Sequence, residues 1–209
     1  MGLLKRFLNQ CRKPEGILGK IMLKGMNVEH AKVADWGLAR LESLGMATSD
    51  VLDIGCGGGR NVGELLKRYP LARVAAIDHS PLSVEKTKEY NKDMIDAGRC
   101  SVQEGDVSAL PFDTGSFDIA TAFETVYFWP GLEECFAEAA RVLRPGGCFM
   151  IVNELDGENA WGHRFARIID GMKNYSLDEI EAALRAAGFP NVTTDRHPSK
   201  SWIAVLARK

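Results

Sequence analysis

The stretch Val51 to Asn61 reads V-L-D-I-G-C-G-G-G-R-N, and it decides the fold. Val51, Leu52 and Ile54 make a short apolar run that carries one acid, Asp53. The run breaks into Gly55, Gly57, Gly58 and Gly59, and Asn61 to Tyr69 then reads as helix. Strand, glycine loop and helix start, in that order, open a nucleotide-binding α/β fold. Glycine turns the backbone at positive φ and has no Cβ to hold a ligand off the main chain.

Downstream of Asp50, strand and helix patterns alternate. Strands are predicted at Val51–Ile54, Arg73–Ile77, Cys100–Glu104, Phe117–Ala122, Cys148–Asn153, Val192–Arg196 and Trp202–Leu206. Helices are predicted at Asn61–Tyr69, Leu82–Ala97, Leu132–Leu143, His163–Met172 and Leu177–Ala187. This alternation means βαβ units, a mostly parallel sheet and right-handed crossovers. Only Pro198–Ser201 separates the last two apolar runs, too little for a helix, so the final strand must run antiparallel.

Upstream, Ile17–Met26 and Asn27–Leu44 read as helices, the second stopped by Gly45. Val28, Ala31, Ala34, Leu38 and Leu41 step by three and four residues, as a core face does. Met1–Lys13 is basic and amphipathic, with Leu3, Leu4, Phe7 and Leu8 against Lys5, Arg6, Arg12 and Lys13. Such a segment suits either packing on the domain or contact with a membrane surface. Arg6 stands where a myristoylation signal wants Ser or Thr. We expect a single domain over 1–209, with 1–47 as an N-terminal helical extension that lies over the ligand.

The chain has 209 residues and a net charge of −2, which argues against a partner rich in nucleic acid phosphates. No apolar run is long enough for a membrane span. Its five cysteines are scattered, with no C-x-x-C pair, as free thiols in a reducing compartment would be. Cytoplasmic residence is expected, and a homodimer is left open.

The spacing is G-x-G-x-G, with Arg60 where a dinucleotide fingerprint places its third glycine. V-A-A-I-D ends in Asp78, nineteen residues after Gly59, where a carboxylate can accept both hydroxyls of a ribose. E-G-D-V-S-A-L-P-F follows at Glu104–Phe112, then G-S-F-D at Gly115–Asp118 and V-L-R-P-G-G at Val142–Gly147. Together these motifs resemble the class I S-adenosylmethionine (SAM) dependent methyltransferases, in their small-molecule, type 11-like branch. The resemblance runs from Val51 to Glu154. It implies a Rossmann-like, seven-stranded, mostly parallel sheet in the order 3-2-1-4-5-7-6.

The resemblance also implies SAM as cofactor. Asp53, Gly55, Cys56, Gly57, Gly59 and Asn61 would hold it around the loop. Asp78, His79 and Ser80 follow at the ribose, and Asp106 and Val107 at the adenine. Glu124 would lie near the methionyl part, with Tyr127, Phe128 and Trp129 beside it. Cys56 reads as a small filler in the loop. His30, Glu124 and Tyr127 are the candidates for a catalytic base. Glu154, at its strand end, points toward the substrate side and is a lesser one, with a salt-bridge partner as its other reading. No metal site is expected, and the acceptor is expected to be a small molecule.

Other classes compete. A NAD-linked oxidoreductase is disfavoured by Arg60 and by the lack of a Y-x-x-x-K pair. A SAM-binding partner without activity and an RNA methyltransferase stay open. The absence of N-P-P-Y or D-P-P-Y argues against methylation of DNA or protein glutamine.

Overall fold

The computed structural model describes residues 2–158 and 160–209, so Met1 of the basic segment and Asn159 lie outside the described residues. The chain begins with α1 (Leu3–Leu8), a 3-10 turn at Asn9–Cys11, α2 (Gly16–Glu29) and α3 (Ala31–Ser43). Next come β1 (Asp50–Ile54), α4 (Arg60–Arg68), β2 (Arg73–Asp78), α5 (Pro81–Tyr90), α6 (Lys92–Asp96) and β3 (Cys100–Glu104). Then follow β4 (Phe117–Phe123), a 3-10 turn at Val126–Phe128, α7 (Leu132–Val142) and β5 (Leu143–Asn153). The last elements are α8 (Ala160–Ile168), α9 (Leu177–Ala186), β6 (Asn191–Arg196) and β7 (Ile203–Arg208).

The seven strands form one sheet in the order β3-β2-β1-β4-β5-β7-β6, as expected. β7 runs antiparallel to both of its neighbours, and the other pairings are parallel. Side chains alternate across the pleat. Leu52 and Ile54 therefore join Phe136, Phe149 and Phe189 under α7 and α9. Val51 faces the other way, with Val33, Leu38 and Leu41 of α3 and Val62 and Leu65 of α4. Both faces of the sheet are covered, which explains its long apolar strands.

Several boundaries differ from the sequence reading, among them α8, which runs Ala160–Ile168 and not His163–Met172; three of the differences have a visible cause. The segment Asn27–Leu44 is not one helix, because the chain breaks at His30 and its beginning belongs to α2. Packing sets the break: α3 lies on the sheet, while α2 turns away across the strand ends. Leu82–Ala97 is likewise split at Asn91, whose side-chain amide donates to the carbonyls of Gly59 and Thr87. β5 starts five residues early, at Leu143, which pairs with Phe117 across a register irregularity. Arg144 reinforces that early start by pairing with Asp118 and Asp50.

One cation ends α4 from outside the helix. Nη2 of Arg99 lies 3.1–3.2 Å from the carbonyl oxygens of Leu66, Tyr69 and Ala72. The Leu66 and Tyr69 carbonyls lie at the negative end of the helix dipole, and the Ala72 carbonyl belongs to the turn that follows; Tyr69 also accepts the Ala72 N–H at 3.0 Å. Replacing Arg99 with Met keeps most of the packing and removes the donors. We expect Arg99→Met to lower stability by about 1.5–3 kcal/mol, as for hydrogen bonds made by a charged group. Urea unfolding followed by circular dichroism measures it.

Candidate active site

Ligands of open α/β sheets bind beyond the carboxyl ends of the strands. A cavity of about 400 Å³ lies there, at the ends of β1, β2 and β4. Its floor is Ile54 with Gly55, Cys56 and Gly57 of the loop. Asp78 and His79 line one side, and Asp106 and Val107 the end beyond β3. Glu124, Thr125, Phe128 and Trp129 line the opposite side. Leu23, Met26 and Asn27 of α2 form a wall together with His30.

The loop is held from β2. The backbone N–H groups of Gly55 and Cys56 donate to the Ile77 carbonyl at 2.8 and 3.0 Å. The N–H of Gly57 donates to Oδ2 of Asp78 at 2.9 Å, and the N–H of Ser80 donates to Oδ1 at 2.9 Å. Burial pushes the Asp78 carboxyl up, and the Ser80 and Gly57 amides work against that. A Cβ built on Gly57 would point into the cavity, with only Leu23 Cδ2 nearby at 3.9 Å, so the main chain there is bare to a ligand.

Ten of the anticipated residues come together on this cavity: His30, Gly55, Cys56, Gly57, Asn61, Asp78, His79, Asp106, Val107 and Glu124. Four do not line it. Pleat alternation turns Asp53 toward the α3 and α4 side, where Thr121 Oγ1 donates to it at 2.7 Å. Desolvation pushes the Asp53 carboxyl up to about 7. Gly59 packs on α5: a Cβ there would sit 2.7 Å from Thr87 Cα. Ser80 caps α5, and its hydroxyl donates to the Pro14 carbonyl at 2.8 Å. Tyr127 is buried behind Glu124. Its hydroxyl accepts the Leu155 N–H at 3.0 Å and donates to the Glu124 carboxyl.

Side-chain chemistry separates the rest. Burial, and then the nearby Asp78, push the Cys56 thiol well up against a hydrogen bond donated by Thr87 Oγ1 at 3.3 Å, so a thiolate nucleophile is disfavoured. The hydroxyl and N–H of Ser108 hold the Asp106 carboxyl low by hydrogen bonds at 2.7 and 2.8 Å. Trp129 is mostly core, stacked on Phe149 at 6.1 Å, while Phe128 is more open to the cavity.

One residue escaped the sequence reading, and a second gains partners that the sequence did not show. Asn27 Nδ2 donates to the Gly58 carbonyl at 3.0 Å, tying α2 to the glycine loop. Glu154, assigned only a secondary role by its strand end, meets His30 and Glu124. Its Oε2 lies 3.9 Å from His30 Nε2, and its Oε1 accepts from Trp202 Nε1 at 3.3 Å. Donor atoms of His30, Glu124 and Glu154 all fall within 4.8 Å of one another. No metal-like spacing foretold this group, which is assembled from the α2–α3 break and the ends of β4 and β5.

Burial lowers the pKa of His30, although Glu154 and Glu29 pull the other way, so the imidazole is neutral near pH 7. Glu124 is pushed up to about 8, first by burial and then by Glu154, against hydrogen bonds from the Glu154 N–H and Tyr127. Glu124 also has φ of 60°, the one non-glycine residue with positive φ among the described residues. Strain of this kind clusters at functional sites.

The raised carboxyl fixes the sign of a pH effect. Between its ordinary pKa of 4.5 and about 8, native Glu124 keeps a proton that the unfolded chain releases. Native protein then binds more protons, so this group makes stability fall as pH rises through that window. Glu124→Gln keeps an acceptor for the Glu154 N–H and cannot ionise. We expect its melting temperature to exceed the parent's more at pH 8 than at pH 5, as read by paired thermal melts.

Residues 51–147 match the family model of a methyltransferase domain. A 27-O-demethylrifamycin SV methyltransferase from Amycolatopsis mediterranei is 32% identical over 169 residues, 76% of this chain and 61% of that protein. A sterol 24-C-methyltransferase from Aspergillus fumigatus is 30% identical over 170 residues, 75% of this chain and 45% of that one. The chain thus spans less than two thirds of the length of these curated relatives. Two solved structures share the fold. One is a chain of a Haloferax volcanii complex between a methyltransferase activator and a candidate methyltransferase. Its TM-score is 0.81 at 23% identity, covering 97% of this chain and 96% of that one. The other is a SAM-dependent methyltransferase from Aquifex aeolicus, with TM-score 0.71 at 19% identity, covering 90% and 96%. The glycine loop and the strand order thus sit in a segment, residues 51–147, that is similar to a methyltransferase domain.

Proposed function

We propose that this protein moves a methyl group from SAM to a small, largely apolar acceptor, with His30 taking the acceptor's proton. The observation that carries the reading is that one cavity joins the bare Gly57 backbone and Asp78 to His30 and Glu124. The residues suit SAM. Gly55 and Gly57 leave room for a ligand chain against the loop, Asp78 offers its remaining lone pairs to a ribose, and Ile77 and Val107 flank the adenine side. Asp106 offers a carboxylate acceptor there, and Glu124 a buried carboxyl on the methionyl side that a bound cation would favour in its ionised form.

Bound SAM supplies an electrophilic methyl group on a sulfonium. The protein's share is alignment, exclusion of water and handling of one proton. Neutral His30 accepts a proton from an oxygen or nitrogen nucleophile, and the nearby Glu154 carboxylate stabilises the imidazolium that results. Tyr127 acts through Glu124, holding its carboxyl in place. Leu23, Met26, Phe123 and Phe128 give the cavity its apolar lining. Relatives named for sterol and rifamycin substrates support an acceptor of that character. The net charge of −2 disfavours RNA. Five free cysteines support a cytoplasmic setting.

Two measurements test this reading. Asp78→Ala is expected to weaken SAM binding at least about tenfold in titration calorimetry, with the circular dichroism spectrum kept, as the loss of charge-assisted hydrogen bonds implies. Unchanged SAM affinity, or selective binding of NADH, would defeat it. For the base, His30→Gln should lower kcat by about 10²–10⁴-fold. Glu154→Gln removes the group that raises the imidazole pKa, so the rising limb of its pH–rate profile should move to lower pH. An unmoved limb would take Glu154 out of the proton path.

A further inference from the structure

α2 has two faces with opposite chemistry. At 100° per residue, Leu23, Met26 and Asn27 look toward the cavity, and Ile17, Ile21 and Val28 fall within about 40° of one another on the far side. These three are 78%, 55% and 72% exposed. Lys24 adjoins this stripe and Lys20 flanks it on the side of Lys86 and Glu89 of α5, and both lysines are exposed. α1 adds Leu3 and Leu4, 82% and 69% exposed. An aliphatic stripe left in water on a short helix needs an occupant.

Charge selects the occupant. Residues 2–28 carry six basic side chains and one acid, Glu15, in a chain whose net charge is −2. A second copy docking through this face would set lysine against lysine, because a two-fold interface pairs a patch with itself. A nucleic acid would use the cations and leave the isoleucines wet. Only an anionic lipid surface satisfies both halves, taking aliphatic side chains into the acyl boundary and lysines at its headgroups.

We propose that α1 and α2 form a docking face for an anionic bilayer, with Ile17, Ile21 and Val28 entering the acyl boundary and Lys20 and Lys24 resting at the phosphates. Docking would be peripheral, because no helix of the described residues is long and apolar enough to cross a membrane. It would leave the cavity face of α2 turned toward the sheet. The proposal does not rest on the methyl-transfer reading, because its test reads partition and not turnover.

The test is co-sedimentation of the full chain with vesicles of phosphatidylcholine, alone or with phosphatidylglycerol as the minority lipid. We expect binding only to the mixed vesicles, weakened by added salt as screening demands. Each lysine at an anionic surface is worth about fivefold in partition, so Lys20→Glu with Lys24→Glu should reduce it at least about tenfold. Ile17→Asp with Ile21→Asp should do the same. Both pairs are on the surface, so melting temperature and SAM affinity should stay at the parent values. Three results would overturn the proposal: no partition into the mixed vesicles, equal partition by both double variants, or a dimer in analytical ultracentrifugation that Ile17→Asp with Ile21→Asp dissolves.

Discussion

A single buried carboxylate sets the geometry of the ligand end. Asp78 closes β2 and accepts one N–H from the glycine loop and one from the start of α5. The Ile77 carbonyl just before it takes two more loop amides. The loop therefore hangs from the neighbouring strand, not from its own. Ser80 carries the same anchor outward, since its hydroxyl holds Pro14 and with it the approach to α2. Sheet, loop and N-terminal helices meet at three consecutive residues, Asp78 to Ser80. A side chain that does this much for the backbone keeps free lone pairs only on the cavity side, where a ribose would find them.

Elements whose signal is local were legible in the sequence. The glycine loop, the strand alternation and the short closing hairpin each follow from a few adjacent residues. The strand order itself came through the family resemblance. Features that depend on partners far along the chain were not legible. The break at His30 answers to packing on the sheet, and nothing between Asn27 and Leu44 marks it. The early start of β5 needs Phe117, Asp118 and Asp50 as partners for a segment that reads as a turn. Asp53 was assigned to the ligand because it adjoins the loop, yet the pleat sends it to the opposite face. Pleat alternation is visible in V-L-D-I, so that correction was available from the sequence alone. Asn27 was not, because it matters through a contact with the distant Gly58; Glu154 was legible as an acid at a strand end facing the substrate side, but its pairing with His30 was not.

Buried acids divide by what faces them. Asp53 has Thr121 as its hydrogen-bond donor, and burial, with the nearby Asp78 adding to it, pushes its carboxyl up to about 7. That arrangement costs stability whenever the group ionises. Glu124 is pushed higher still, with Glu154 adding to the effect of burial. It also opens on the cavity, and Asp53 does not. Under the proposed function, a carboxyl held protonated by burial would ionise beside an incoming cation, so that no permanent buried anion need be supported. The positive φ of Glu124 and the donors from Glu154 and Tyr127 hold it in that place.

α2 is where these threads join. Asn27 fastens it to the loop at Gly58, Leu23 and Met26 face the cavity, and His30 ends it beside Glu154. The helix has 14 residues, so it is about 21 Å long and behaves as one rigid rod. Any force on its exposed face is therefore felt at the loop and at the imidazole together. An α2 displaced by even one ångström would loosen the Asn27 bond and change the separation of His30 from Glu154, which is already beyond hydrogen-bond range at 3.9 Å. If the outer stripe docks and His30 serves as the proposed base, contact outside and proton transfer inside would be linked mechanically by the width of a single helix.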